Sequence, residues 1–206
     1  MPRPSQLQAM RLAKYSVEER GPRAAQLYGV DPSAVRDAAE YLVHEAGAQV
    51  LDLNFGCPVR KVTARGGGAA LAVRWRLVGR LVAAAVSVCA PAGVPVTAKL
   101  RLGLDETCVT YPEAAMAAQD AGAAAVTLHV RSAVQGYDSP VDLAPLQHLV
   151  SMLSIPVIGN GDVFEGPDAV RMMRETGKAS EAGARAVPWQ ALRQLCRFAL
   201  QAARGS

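Results

Sequence analysis

Asn54 and Cys57 are the residues of this chain best placed to do chemistry. They follow an apolar run, Gln49 to Leu53, in the segment Asn54-Phe-Gly-Cys-Pro58, and a basic, Gly-rich loop comes next. A thiol is protonated at neutral pH and can act as an acid, and an amide can pair with the edge of a heterocycle. A lone Cys in an apolar setting is usually inert packing. Cys57 is placed differently. It sits past the apolar run, between a Gly and a Pro that fix the turn, where an α/β barrel keeps its reactive groups.

Further polar residues recur at the ends of apolar runs on a steady beat. Gln26 precedes Cys57 by 31 residues, Lys99 precedes His129 by 30, and His129 precedes Asn160 by 31. One βα unit takes about 30 residues, so such a beat returns each side chain to the same rim of a parallel sheet. From Cys57 to Lys99 the interval is 42, and the basic loop after Cys57 accounts for the excess. Lys99 lies within Pro-Val-Thr-Ala-Lys-Leu, a setting poorly explained as surface. Gln26 reads either as a pairing amide or as an isolated Gln in an edge strand. His129 reads as a ligand-facing imidazole or as a satisfied structural residue. Arg131, two residues on, points to the same side and suits an anion. Asn160, Gly161 and Asp162 either cradle a phosphate with exposed amides or simply turn the chain.

The elements needed to position these residues are legible as repeated βα units. Strands are expected near residues 24–28, 50–53, 95–100, 124–128 and 156–158. Asp31 can cap a helix with Pro32 in its first turn, and Gly47 closes it. Pro112 opens a helix ending at Gly122, Pro167 opens another ending at Gly177, and residues 142–152 form one more. The expected fold class is α/β: a partial TIM (β/α)8-type barrel of about five parallel strands with flanking helices. Residues 1–23 form a polar segment, 24–177 the barrel part, and 178–206 a divergent segment in which 189–204 reads as one amphipathic helix.

Composition narrows the class. Half the 206 residues are apolar and 5% aromatic, which suits helices packed closely on a sheet and argues against disorder. A net charge of +4 is compatible with a nucleic-acid partner without requiring one. Arg60, Lys61 and Arg65 crowd the loop after Cys57, with Arg74, Arg76 and Arg80 just beyond. They read as a solvated face or as a contact for phosphates. Cys57, Cys89, Cys108 and Cys196 form no CxxC pair, and no metal spacing appears. So few thiols suggest a reducing compartment, cytoplasmic or organellar. No 18-residue apolar segment is evident, so no membrane association is expected.

The extended segment Asn54-Phe55-Gly56-Cys57-Pro58-Val59-x-Lys61-Val62, followed by Gly66-Gly67-Gly68-Ala69-Ala70-Leu71, resembles the signature of the tRNA-dihydrouridine synthases. These are flavoenzymes that reduce uridine in tRNA. Ala25-Gln-Leu-Tyr-Gly29, Thr97-Ala-Lys-Leu-Arg-Leu-Gly103, Thr127-Leu-His-Val-Arg131 and Ile155-Pro-Val-Ile-Gly-Asn-Gly-Asp-Val163 match in the family's order. The likeness runs from about Tyr15 to Gly177.

The resemblance implies FMN as cofactor, recharged by NADPH or NADH, and tRNA as partner. Cys57 would be the general acid that protonates C5 of uracil while hydride reaches C6. Lys99 would stabilise negative charge on the reduced flavin, Gln26 would pair with the pyrimidine edge of its ring, and His129 would contact the cofactor. Asn160, Gly161 and Asp162 would hold its phosphate. Asn54 would hold the target base, and Arg131 would face uracil or an RNA phosphate. The family's barrel has two strands before the one aligned with 24–28, and a phosphate-binding Gly-Arg that Ala182-Gly-Ala-Arg-Ala-Val187 does not match. A catalytically incompetent fragment that binds FMN weakly or not at all, or another FMN-barrel oxidoreductase acting on a free pyrimidine, are the alternative expectations.

Overall fold

In the computed structural model residues 23–176 and 186–188 are described. The elements run β1 (Ala24–Leu27), α1 (Pro32–His44), β2 (Val50–Asn54), short α2 (Arg60–Thr63) and α3 (Ala69–Ala72), and α4 (Trp75–Cys89). Then come β3 (Val96–Arg101), α5 (Tyr111–Asp120), β4 (Ala125–His129), α6 (Ala144–Met152), β5 (Val157–Asn160), α7 (Gly166–Thr176) and β6 (Ala186–Pro188). Local signals set the helix ends. Asp31 accepts the Ser33 backbone N–H at 2.9 Å with Pro32 in the first turn, as the sequence leads one to expect.

The strands form one parallel sheet in chain order, β1-β2-β3-β4-β5-β6, the winding of a βα barrel wall. Successive side chains alternate between its faces. Leu51, Leu53, Val96, Ala98, Leu100, Val126, Leu128 and Val157 join the core built with Val35, Ala39, Val78, Leu81, Ala114, Leu146 and Met172 of the helices. The opposite face carries Asp52, Asn54, Thr97, Lys99, Arg101, Thr127 and His129. Glycine is needed where the layers touch: a Cβ on Gly159 would meet the Met172 sulfur and Leu146.

The expected α/β sheet of about five parallel strands is present with one strand added, and one other expectation is corrected. A sixth strand, β6, lies within Ala182–Val187 and the residue after it, where no apolar run announces one; it pairs Ala186 with Val157 and Val187 with Ile158. Three residues leave no periodicity to read, and the ladder against β5 supplies the order. Also, Trp75–Ala92 is an 18-residue helical stretch apolar enough to cross a membrane by length and composition. The packing gives it another occupation. Val78, Leu81, Val82, Ala85 and Cys89 of α4 are buried in the core, and burial pushes the Cys89 thiol up to about 11. The amphipathic helix expected over 189–204 lies outside the described residues.

Candidate active site

The polar face of the sheet is assembled by register. Gln26 lies opposite Asp52, Asp52 opposite Thr97, Asn54 opposite Lys99, Arg101 opposite His129, and His129 opposite Asn160. Partners in a parallel pair point to the same side, so these residues form one continuous row.

Asp52 is the hub of the first half of that row. It accepts the Gln26 side-chain N–H and the Thr97 hydroxyl, each at 2.6 Å. Asn54 Nδ2 in turn donates to Gln26 Oε1 at 2.9 Å. Burial raises the Asp52 carboxyl above the ordinary Asp value, against the opposing pull of its two hydrogen bonds and of Lys99. Burial likewise lowers the Lys99 ammonium, Arg101 adds to the fall, and Asp52 opposes it. Lys99 is thus a half-buried cation on the polar face rather than a solvated strand exit.

Cys57 is fixed through its backbone. The Asn54 side-chain oxygen accepts the N–H groups of Gly56 and Cys57 at 3.1 and 2.9 Å. The Cys57 carbonyl accepts the Ala69 N–H at 3.0 Å, tying the start of α3 to the turn. Gly68 closes that contact with φ 57° and ψ −135°, and a Cβ there would collide with the Cys57 carbonyl. The glycines therefore do more than shape a loop: one of them seats the half-buried thiol.

Arg101 joins this turn to the next strand. Its Nε donates to the Gly56 carbonyl at 3.0 Å and an Nη to the Ser132 carbonyl at 2.9 Å, both buried. His129 lies beside it. Burial first, then the charges of Arg101, Lys99 and Arg131, lower its pKa to about 4, so the imidazole is neutral at pH 7. Its Nε2 is buried without a hydrogen-bond partner among the described residues, as is the Thr127 hydroxyl on the same face.

At the end of β5, Gly161 takes φ 127° and Asp162 takes φ 49°, so the chain turns sharply after Asn160. Asp162 is claimed by Arg131, whose two Nη atoms reach its carboxylate at 2.7 and 2.9 Å. That bond holds the Asp162 carboxyl below the usual range. Arg131 is 1% exposed and also donates to the Tyr137 and Ser139 carbonyls. Both Arg131 Nη atoms are thus engaged by Asp162 and the loop after β4, while its Nε is buried without a hydrogen-bond partner among the described residues. Asp162 is likewise engaged, leaving Asn160 and the Gly161 backbone at this strand end. Their separation of 31 residues hides the Arg131–Asp162 pair from local sequence reading.

Four residues of the row carry no weight in the sequence reading: Asp52, Thr97, Arg101 and Thr127. Period-two alternation in Val50-Leu-Asp-Leu-Asn54 and Val96-Thr-Ala-Lys-Leu-Arg101 was the available signal. Among the described residues no group of His, Cys, Asp and Glu could hold a metal ion. The assembled chemistry is a thiol, three amides, two cations and a neutral imidazole along one row. Such a set suits proton donation beside an anionic, ring-bearing group.

The sequence model described as "Dihydrouridine synthase (Dus)" matches residues 4–188, past both ends of the likeness read from the motifs. A Mycobacterium tuberculosis protein named "Probable tRNA-dihydrouridine synthase" is 45% identical over 169 residues, covering 82% of this chain and 43% of that protein. The "tRNA-dihydrouridine synthase B" of Xanthomonas axonopodis pv. citri is 37% identical over 174 residues, 83% of this chain and 51% of its own length. The chain thus spans about half the length of these curated relatives. Among solved structures, a 2,3-dimethylmalate lyase of the PEP mutase/isocitrate lyase superfamily aligns with TM-score 0.51 at 16% identity, covering 98% of this chain and 68% of that one; it bears on fold alone.

Proposed function

The chain belongs to the dihydrouridine synthase family, and on that premise we propose that it carries the site for reducing the C5–C6 bond of a uridine in tRNA. The observation that carries the reading is the register of Asn54 against Lys99 and of Arg101 against His129, directly under the Cys57 turn. FMN, when bound and recharged by NADPH or NADH, supplies the hydride for C6. The residues present fit such a group. Lys99 and Arg101 set a positive potential for a flavin that gains negative charge, and His129 Nε2 and the Thr127 hydroxyl are buried polar atoms awaiting a partner.

Each residue then has a task. Cys57 donates a proton to C5 from a turn locked by Asn54, Ala69 and Gly68. Gln26 presents its remaining N–H toward the flavin edge, oriented by Asp52. Asn54 keeps one Nδ2 hydrogen for the target base. Asn160 and the Gly161 backbone are left for the phosphate, while Arg131 holds Asp162 and the loop after β4. Arg60, Lys61 and Arg65, exposed on the loop after Cys57, would meet the phosphates beside an extruded nucleotide.

The test uses FMN-loaded protein and NADPH with unmodified tRNA transcript, free uridine and dihydroorotate as substrates. Reduction confined to the transcript is the expected outcome. Cys57→Ala should keep flavin reducible while losing about 10²–10⁴-fold in the rate of uridine reduction, the range for general acids. Equal turnover of a free pyrimidine would replace this reading with that of a small-molecule reductase.

A further inference from the structure

We propose that the start of α4, centred on Trp75, is an RNA-binding surface separate from the site that holds the reacting base. The inference rests on tRNA being the substrate, and it names where the flanking strand lies.

Charge makes the first part of the case. From Leu53 to Leu104 the sequence has eight Lys or Arg residues and no Asp or Glu, while the whole chain carries +4. The remainder is therefore net negative, and the positive charge is concentrated in one segment. Lys99 and Arg101 of that set face the site. Arg60, Lys61, Arg65, Arg74, Arg76 and Arg80 are exposed, and none of them forms an ion pair among the described residues. A solvated face on a folded protein ordinarily mixes both signs. This one does not.

Shape makes the second part. Val73, Arg74, Trp75, Arg76, Leu77 and Arg80 line a surface cleft of about 330 Å³. Trp75 is 37% exposed, and the Arg76 guanidinium lies 4.2 Å from its ring centre. An exposed indole with a cation stacked on it offers a base both a π-face and a neighbouring charge for its phosphate. The core of α4 does not need this Trp, since its buried face starts at Val78.

Position makes the third. Ala69 is bonded to the Cys57 carbonyl, and Arg74 donates to the Gly66 carbonyl at 3.0 Å, so the cleft is anchored to the Cys57 loop. Helical α3 and the two residues after it put Trp75 within roughly 16 Å of that loop. At about 3.4 Å per stacked nucleotide, this is a reach of about five nucleotides from the reacting one. The single-stranded part of an RNA loop fits that span, with its phosphates on the Arg side chains and one base on Trp75. An anionic membrane would be met by the same charges, yet it gives the Trp–Arg stack and its link to the Cys57 loop no role.

The experiment measures binding of a fluorescein-labelled, unmodified tRNA transcript to the full chain across a series of salt concentrations. Arg76→Gln with Arg80→Gln should lower the slope of log K against log salt by about 1.4, at about 0.7 per single-strand phosphate. Trp75→Ala should weaken binding about tenfold and Trp75→Phe should restore most of it, with circular dichroism unchanged in each variant. A 5-bromouridine-substituted transcript should cross-link to Trp75. Wild-type binding with unaltered slope and affinity in these variants would overturn this surface and leave the tRNA reading standing. No binding of the transcript by the wild type would overturn both. Loss of binding to phosphatidylserine vesicles, with tRNA binding intact, would reassign the cleft to a lipid surface.

Discussion

The side-chain oxygen of Asn54 accepts the backbone N–H of Cys57 at 2.9 Å while its amide nitrogen donates to Gln26, so one residue sets the thiol's turn and ties it to the neighbouring strand. Asn54→Ala removes both links at once. The turn then loses two cap-like bonds, together worth about 1–2 kcal/mol, a small loss for the whole fold. Displacement of the thiol by even about 1 Å has a larger effect on rate, of the order of 10²-fold. A variant that melts within a few degrees of wild type yet turns over tRNA about a hundredfold more slowly is expected. Equal rates would mean that Gly56 and Pro58 hold the turn by themselves.

Gly68 presents the opposite balance. Its φ of 57° with ψ of −135° is open to glycine only, and a Cβ would strike the Cys57 carbonyl. Gly68→Ala should lower stability by about 2 kcal/mol or more, measured by urea unfolding, and displace Cys57 as well. Gly93 is the control. It also has a left-handed φ, of 66°, but a Cβ there meets nothing within 4 Å, so Gly93→Ala should cost only about 1 kcal/mol and leave the rate intact.

His129 gives a pH signature. Its folded-state pKa of about 4 lies below the ordinary value of 6.5, so between those two values the unfolded chain binds the proton and the folded one does not. Stability from this group is therefore complete above pH 6.5 and is lost as pH falls toward 4. The full loss is on the order of 3 kcal/mol. Urea unfolding at pH 7 and pH 4.5 should show a drop in wild type that is clearly smaller in His129→Gln. Identical drops would place an unfilled hydrogen-bonding role, rather than a buried neutral imidazole, at this position.

Lys99 separates folding from function. Its charge is held on the sheet against the effects of burial and of Arg101, with Asp52 opposing. In Lys99→Met that buried charge is gone, and Asp52 loses the cation that draws its carboxyl down, so its pKa moves further up. Apo-protein stability should hold or rise. FMN affinity should fall at least about tenfold, or the potential of bound flavin should drop. Unchanged affinity and potential in this variant would remove Lys99 from the cofactor site.

Much of this protein is determined within short stretches of its sequence. Asp31 and Pro32 start α1 through bonds to residues at most two positions away. The Asn54–Cys57 turn closes over three residues, and the roughly 30-residue beat of Gln26, Cys57, Lys99, His129 and Asn160 already implies one rim. What only the tertiary structure decided are the pairings across that distance. Arg131 was legible as an anion binder, but nothing local says that its anion is Asp162, on the neighbouring strand's exit. Alternation in their runs could mark Asp52 and Arg101 as facing away from the helices, but only register shows which residues they meet across the sheet. β6 has no run to read, and exists because β5 offers it a ladder. Caps and turns satisfy their polar groups with near neighbours, so sequence suffices for them. A buried charge must instead find its partner wherever the sheet's register brings one, and that is a property of the folded chain alone.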